Sequence, residues 1–311
     1  MTGIATPSPR KVGVGLILLS VLAVLPFVTS FNLAIEVVVF AIFALGFNLL
    51  AGYGGQLSFG HAAFFGLGAY GTMLSVRYLT PDLYVSIGVG VLLAGVGSAV
   101  IGRLSLFRRG VYFAMITLAF GQMVYSASLS FGDVTGGSNG LYFADVKATL
   151  GPLTPLGPVP DLYLLAVALL SALVIAKWHL LQTPFGTVLL AIQSNEGRTK
   201  HLGYNTTRYL QGAFLLSGLV SGLAGALFAA LSRFITPDVL FWSTSGEVVL
   251  VTIIGGIGTI LGPLVGALFF VIMSDLLSDL TGHWPILFGG LFVAIVLFAP
   301  EGIYGFYRKW R

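Results

Sequence analysis

Long apolar stretches follow one another along most of the chain, and short polar or glycine-rich segments separate them. A helix crosses the roughly 30 Å hydrocarbon core of a membrane with about 20 mainly apolar residues. This criterion predicts ten candidate spans, at about 12–30, 33–51, 57–79, 83–102, 111–131, 161–177, 209–231, 240–256, 259–278 and 284–300. The third and eighth candidates are rich in glycine and can be broken or re-entrant, so we predict about 8–10 transmembrane helices.

The composition excludes a water-soluble fold. The 311 residues include 15 basic and 11 acidic ones, so only 8% are charged, whereas 57% are apolar. The mean hydropathy is +0.98. A typical soluble domain carries roughly 25% charged residues, and a disordered chain combines low hydrophobicity with high charge. The predicted fold class is therefore all-α: a polytopic integral membrane protein in which residues 1–311 form a single transmembrane domain.

The basic residues indicate how the chain crosses the membrane. With ten spans and both termini in the cytoplasm, 12 of the 15 basic residues fall in cytoplasmic segments, in agreement with the excess of Lys and Arg found in cytoplasmic loops. These twelve are Arg10, Lys11, Arg103, Arg108, Arg109, Lys177, Arg198, Lys200, Arg208, Arg308, Lys309 and Arg311. We therefore interpret the net charge of +4 as loop charge that faces an anionic membrane surface, and not as a sign of nucleic-acid binding.

Two segments lie outside the predicted spans: a periplasmic loop at 132–160 and a cytoplasmic loop at 178–208. Each has about 30 residues and is too short to form a core of its own. The chain has no cysteine and no G-x-x-x-x-G-K-[ST] phosphate loop. The sequence therefore predicts no catalytic residue, no metal site and no cofactor-binding site, and any nucleotide chemistry has to come from another chain.

A few polar residues fall inside the predicted spans, where a charge costs roughly 2.5–3.5 kcal/mol and usually pairs or faces a polar path. The candidates for a solute pathway are Gln56, Ser58, His61 and Glu247. For Glu247 the alternative is a hydrogen bond between helices, and for His61 it is packing in the core. The glycine-broken segments 52–71 and 246–266 lie in opposite halves of the chain, which is typical of a transport path between two repeats.

The cytoplasmic loop contains an amphipathic segment. A short helix is predicted after Pro184, and Val188, Leu189 and Ile192 would form one apolar face directed toward the cytoplasm. Such a helix either lies flat on the membrane surface or docks a soluble partner. The sequence alone leaves both interpretations open.

Several stretches resemble a known family when they are taken in order. Residues 52–66, GYGGQLSFGHAAFFG, are similar to the signature of LivM-type permeases, the membrane subunits of branched-chain amino-acid ABC importers. Further matching stretches lie at 109–120, 135–140, 184–205, 255–259, 262–263 and 300–302. The resemblance spans nearly the whole chain, and its specificity comes from the ordered set and not from any one piece.

This resemblance implies a permease subunit that is not itself an enzyme and that moves a small polar solute, branched-chain amino acids first, across the bacterial inner membrane. It implies a lipid bilayer as surroundings and four partner chains: a second homologous permease, two cytoplasmic ATPases that hold the ATP, and a periplasmic solute-binding protein. It assigns the cytoplasmic loop to coupling with the ATPases. The residues expected to take part are Pro184, Phe185, Gly186, Ile192, Glu196 and Arg198.

Other functions fit parts of the sequence. The same family includes importers of urea, short amides and aromatic acids, so the resemblance does not fix the substrate. A different class is an ATP-independent secondary transporter or channel, in which Glu247 and Glu36 would couple ions or protons. An intramembrane enzyme is a weaker alternative, because no histidine and carboxylate are spaced for a reaction.

Overall fold

The computed structural model describes residues 25–26, 29–142, 158–280 and 282–309, and helices dominate this part of the chain. The helices are α1 Phe31–Asn48, α2 His61–Tyr78, α3 Leu83–Ser105, α4 Val111–Ser130, α5 Gly132–Thr135, α6 Pro158–Gln182, α7 Pro184–His201, α8 Thr206–Ser232, α9 Trp242–Gly255, α10 Gly262–Leu280, α11 Trp284–Phe298 and α12 Gly302–Lys309. A π-helical turn, Leu49–Tyr53, continues α1, and short 3₁₀ turns lie at Gly137–Asn139 and Pro237–Leu240. Two short strands, β1 Leu141–Tyr142 and β2 Phe234–Ile235, pair antiparallel.

In the described part of the chain, seven helical segments are long and apolar enough to cross a membrane. They are Phe31–Tyr53, Leu83–Ser105, Val111–Ser130, Val159–Gln182, Thr206–Ser232, Gly262–Leu280 and Pro285–Gly305. The predicted all-α, polytopic membrane fold is therefore confirmed. The two glycine-rich candidates correspond to α2 and α9, which are not among the seven. The predicted first span, 12–30, lies almost entirely outside the described residues.

α1 is the central helix of the bundle. Within its most apolar window 83% of the residues are buried, whereas the corresponding value for the segment that contains α11 is 11%. Helices α6, α8, α9 and α10 all pack on α1. A helix that is apolar all around is expected in the interior of a membrane protein. The exposed apolar faces of α3, α4 and α11 are then the surfaces left to lipid or to other subunits.

Small residues set the distance between helices α2, α3 and α8. A Cβ added to Gly225 of α8 would overlap the backbone carbonyl of Phe65 in α2, and one added to Gly222 would overlap the side chain of Ala94 in α3. Lipid gives helices no hydrophobic reason to associate, so close backbone packing and hydrogen bonds hold such a bundle together. The G-x-x-x-G spacing on α8, Gly218 to Gly222, therefore marks a packing face.

The bundle has two distinct ends. α8 starts five residues after α7 and runs for 27 residues, or about 40 Å. Its far end leads into β2, which pairs with β1. We call these two ends the α7 end and the β end. The connection predicted at 178–208 is shorter in the structure, because α6 continues to Gln182 and α8 begins at Thr206. Much of the loop predicted at 132–160 lies outside the described residues.

Local signals in the sequence explain why α7 forms between the spans. Thr183 caps its start by accepting a hydrogen bond from the backbone N–H of Gly186, and Pro184 occupies the first turn, where its missing N–H costs nothing. Asn195 interrupts α7 with extended backbone angles, and its side chain caps the following turn by accepting from the N–H of Arg198. The predicted short helix after Pro184 is therefore present as two short pieces joined at Asn195.

Replacing Gly225 with valine should destabilise the bundle, because the new side chain would overlap backbone atoms of Phe65 in α2. Backbone atoms cannot move aside as the end of a flexible side chain can. Overpacking of this kind typically costs about 1–3 kcal/mol. Thermal unfolding in detergent, followed by size-exclusion chromatography, would measure the loss. Gly88→Val on α3 is the matched control, since a Cβ there meets no atom within 4 Å. Equal melting temperatures for the two variants would contradict this account of the packing.

Candidate functional site

The first turns of helices α2 and α9 contact each other. The backbone N–H of Ala62, in the first turn of α2, donates to Oγ of Ser245, in the first turn of α9, at 2.8 Å. His61, the first residue of α2, contacts Ser217 near the middle of α8. Two helices therefore meet N-terminus to N-terminus at the level of the middle of α8, a helix long enough to cross a membrane, and we call this the α2–α9 junction.

Side-chain hydroxyl groups satisfy the backbone donors at the junction. The N–H of Phe59 donates to Oγ1 of Thr117 in α4 at 3.2 Å, and the N–H of Gly60 donates to Oγ of Ser58 at 3.3 Å. Free N–H groups at the start of a helix otherwise attract anions. Here hydroxyl groups of the protein accept from three backbone N–H groups at or just before the start of α2. These three donors are therefore not available to a ligand.

His61 is completely buried at the junction. Its Nε2 lies 2.7 Å from Oγ of Ser217, and that hydroxyl donates to the backbone carbonyl of Gly46 at 2.6 Å. Which of His61 Nε2 and the Ser217 hydroxyl donates in this bond depends on the tautomer of the imidazole. The rings of Phe47 and Phe64 lie edge-on to the imidazole. These contacts are those of a packing histidine, and a pathway role for His61 stays a prediction.

The other pathway candidates divide between two places. Gln56 and Ser58 lie in the connection that leads from α1 to His61, and both are buried. Glu247 is half-buried on α9 and interacts electrostatically with Glu36 of α1. Glu36 in turn interacts with Asp275 of α10. The structure thus places Glu247 in a group of carboxylates, where a pathway role for it likewise stays a prediction.

The apolar face of α7 points the other way from the prediction. Val188, Leu189 and Ile192 are buried in a cluster with Leu50 and Phe214 from the membrane bundle. The expectation that this face is directed toward the cytoplasm is therefore wrong. The spacing of apolar residues predicts an amphipathic helix, but it does not say whether the bundle or a partner covers its apolar face.

The six residues expected to couple to an ATPase have different surroundings. Pro184 and Arg198 are exposed, and Phe185 stacks on Tyr209 with ring centroids 5.7 Å apart. Gly186 is buried where a Cβ would meet the backbone of α6, and Ile192 belongs to the buried face of α7. Only some of the six residues are thus accessible to another chain.

Glu196, the last of the six, is engaged within the chain. Its carboxylate forms a two-pronged ion pair with Arg109, with Nε–Oε2 at 2.9 Å and Nη2–Oε1 at 3.0 Å, and it accepts from the hydroxyl of Thr206 at 2.9 Å. Burial tends to raise the pKa of Glu196, but the hydrogen bonds and charge of its partners outweigh burial and hold this pKa below its usual value. The pair ties α7 to the turn between α3 and α4.

Sequence reasoning missed several residues that build the site. Thr117, Ser217 and Ser245 make the hydrogen bonds of the junction, and Asn48 and Gln193 bond to backbone at the α7 end. For Asn48, Thr117 and Ser217 the available signal was an isolated polar residue in a mostly apolar run. Among the described residues no group of three His, Cys, Asp or Glu side chains is arranged to hold a metal ion.

The fold is that of a polytopic α-helical membrane protein: a bundle of spans around a central helix, with two shorter helices whose first turns meet and an amphipathic helix at one end. Residues 29–300 match the family model described as the permease component of a branched-chain amino acid transport system, and the chain belongs to this family. The resemblance predicted from the motifs is therefore confirmed.

Curated relatives carry permease names. The chain is 28% identical over 313 residues to the high-affinity branched-chain amino acid transport system permease protein LivM of Escherichia coli K12, covering 93% of this chain and 74% of LivM. LivM of Salmonella typhimurium LT2 is 28% identical over 88% of this chain and 69% of its own length. The ribose import permease protein RbsC of Haemophilus influenzae is 26% identical over 68% of this chain and 66% of its own length. No solved structure matches the chain significantly.

Replacing Ser217 with alanine should lower the stability of the bundle by about 1–3 kcal/mol, because His61 and the carbonyl of Gly46 then lose a buried partner. The melting temperature in detergent is the measurement. Ser171→Ala is the control, since the Ser171 hydroxyl donates only to the Val167 carbonyl of its own helix. A loss no larger than that of the control would refute the assigned network.

The ion pair of Glu196 predicts a pH dependence. Because the folded-state pKa of Glu196 is lowered, its contribution to stability is present above pH 4.5 and is lost as the pH falls below this value. The melting-temperature gap between wild type and Glu196→Gln should therefore shrink between pH 7 and pH 4. Asp133→Asn, at an exposed acidic residue, serves as the control. A gap that stays constant over this range would count against the pair.

Proposed function

We propose that this chain is the permease subunit of an ATP-driven importer that moves branched-chain amino acids across the bacterial inner membrane. The observation that carries the proposal is the family match over residues 29–300, together with the LivM relatives that align with most of the chain. ATP binding and hydrolysis belong to partner subunits in this proposal, since the sequence has no phosphate loop. The chain itself uses no cofactor.

The partners that we propose are a second homologous permease, two cytoplasmic ATPases and a periplasmic solute-binding protein. The ATPases would dock at the α7 end, and both termini would lie on that cytoplasmic side. At this end the segment 178–208 exposes three large apolar side chains: Leu190 at 42%, Leu202 at 71% and Tyr204 at 43%. Large apolar side chains that are exposed outside the membrane are available for a contact with another protein.

The roles proposed for the coupling residues change accordingly. Pro184 and Arg198 remain candidates for direct contact with an ATPase because they are exposed. Gly186, Ile192 and Glu196 act from inside by holding α7 on the bundle. The outward face of α7, with Leu190 at its centre, then receives the force of the ATPase.

A second candidate function rests on the carboxylates. Glu36 of α1 and Glu247 of α9 interact electrostatically, and a secondary transporter would use such a pair for proton coupling. The names of the relatives favour the ATP-driven importer. The substrate classes to be compared are branched-chain amino acids, sugars such as ribose, urea with short amides, and aromatic acids.

The proposal predicts that an ATPase copurifies with the chain and that the complex, in vesicles with the binding protein and ATP, takes up radiolabelled leucine. Isoleucine and valine should compete, and ribose and urea should not. Uptake driven by a proton gradient without ATP, and abolished by Glu247→Gln, would refute the proposal.

The docking site proposed on α7 predicts that Leu190→Arg reduces copurification of the ATPase. Tyr142→Arg, at an exposed apolar residue of the β end, is the control.

A further inference from the structure

One polar side chain of α7 reaches the backbone of the central helix. Nε2 of Gln193 donates to the carbonyl of Gly52 at 2.7 Å. Gly52 lies in the π-helical turn that ends α1, and carbonyl groups in the last turn of a helix have no partner within that helix. Gln193 supplies the missing donor, so α7 is bonded to the end of the most buried helix in the bundle.

A close contact reinforces this hydrogen bond. A Cβ added to Gly55 would lie 3.4 Å from Cα and 3.7 Å from Cβ of Gln193. Gly55 has a φ of +66° and turns the chain from α1 toward the junction, where α2 begins. α7 therefore touches the π turn and also the connection that leads into α2.

The end of α1 is also bonded to the connection between α9 and α10. The side chain of Asn48, just before the π turn, accepts from the N–H of Gly258 at 2.7 Å and donates to the carbonyl of Thr259 at 2.6 Å. A Cβ added to Gly52 would lie 2.6 Å from the nitrogen of Gly258. The π turn is thus in contact both with α7 and with the α9–α10 connection.

We propose that Gln193 is a positioning residue that makes α7 and the π turn move as one unit, so that a displacement of α7 reaches the α2–α9 junction. The inference rests on the proposed ATP-driven function. Movement of the turn carries Gly55 and the start of α2, and through Asn48 it also carries the α9–α10 connection. Both broken helices are therefore linked to α7 through one turn of the chain.

The first test replaces Gln193 with alanine in the complete import complex. A hydrogen bond contributes modestly to a conformational equilibrium, so we expect the amount of leucine imported per ATP hydrolysed to fall about threefold to tenfold. The ATPase should still copurify and hydrolyse ATP. Gln211→Ala is the matched control, because Gln211 also donates to a backbone carbonyl, that of Ala99, but lies outside this connection.

The second test restores the link by a different bond. The chain has no cysteine, and a Cβ built at position 55 lies 3.7 Å from Cβ of residue 193, within the range of a disulfide. The φ of +66° at position 55 strains any side chain there in both redox states, so each variant is compared with itself, reduced against oxidised. In the double variant Gly55→Cys with Gln193→Cys, the import ratio should be low when reduced and should recover on oxidation. Gly55→Cys alone should not respond to oxidation.

Several outcomes would overturn the inference. They are an unchanged import ratio in Gln193→Ala, a ratio that falls further when the double variant is oxidised, and loss of the ATPase from the Gln193→Ala complex. The last result would mean that Gln193 serves the folding of α7 and not its coupling. A wild-type complex that imports nothing with ATP would refute the proposed function instead, and this control is read before any variant.

Discussion

The fold depends on one constraint: inside a membrane, every backbone N–H and C=O must find a partner within the protein. The chain breaks its helical ladder between α1 and α2 and again before α9, and buried polar side chains lie at both breaks, Ser58 and His61 at the first and Ser245 at the second. The hydroxyls of Thr117 and Ser245 satisfy the exposed donors at the first break. These hydrogen bonds hold α2 against α4 and α9. The bonds that satisfy the backbone of a broken helix therefore also determine how the helices are arranged.

Polar contacts also hold α7, the helix outside the spans, on the bundle. α7 is attached at two points: Arg109 binds Glu196 on the side of the α3–α4 turn, and Gln193 binds Gly52 on the side of α1. Between these points its apolar face packs into the bundle. α7 therefore behaves as part of the membrane domain, and only its outward face, around Leu190, is left for another chain.

The spans could be predicted from the sequence because the length of an apolar run is a local property, and the broken helices because glycine and polar residues interrupt two of these runs. The direction of the apolar face of α7 could not be predicted from the sequence. The spacing of apolar residues along α7 is the same whether the bundle or a partner covers Ile192. The junction was also beyond reach. His61 and Ser217 are separated by 156 residues, and Ala62 and Ser245 by 183, so no local pattern marks either pair.

A membrane bundle gains little from burying one apolar face instead of another, because lipid is as apolar as the side chains it replaces. Apolar contacts are also non-directional, so the register of α1 rests on close packing at small residues such as Gly46 and on a few hydrogen bonds between helices. Asn48 and the Gly46 carbonyl hold α1 to the α9–α10 connection and to α8. These directional bonds fix positions along the helix that apolar contacts alone leave open.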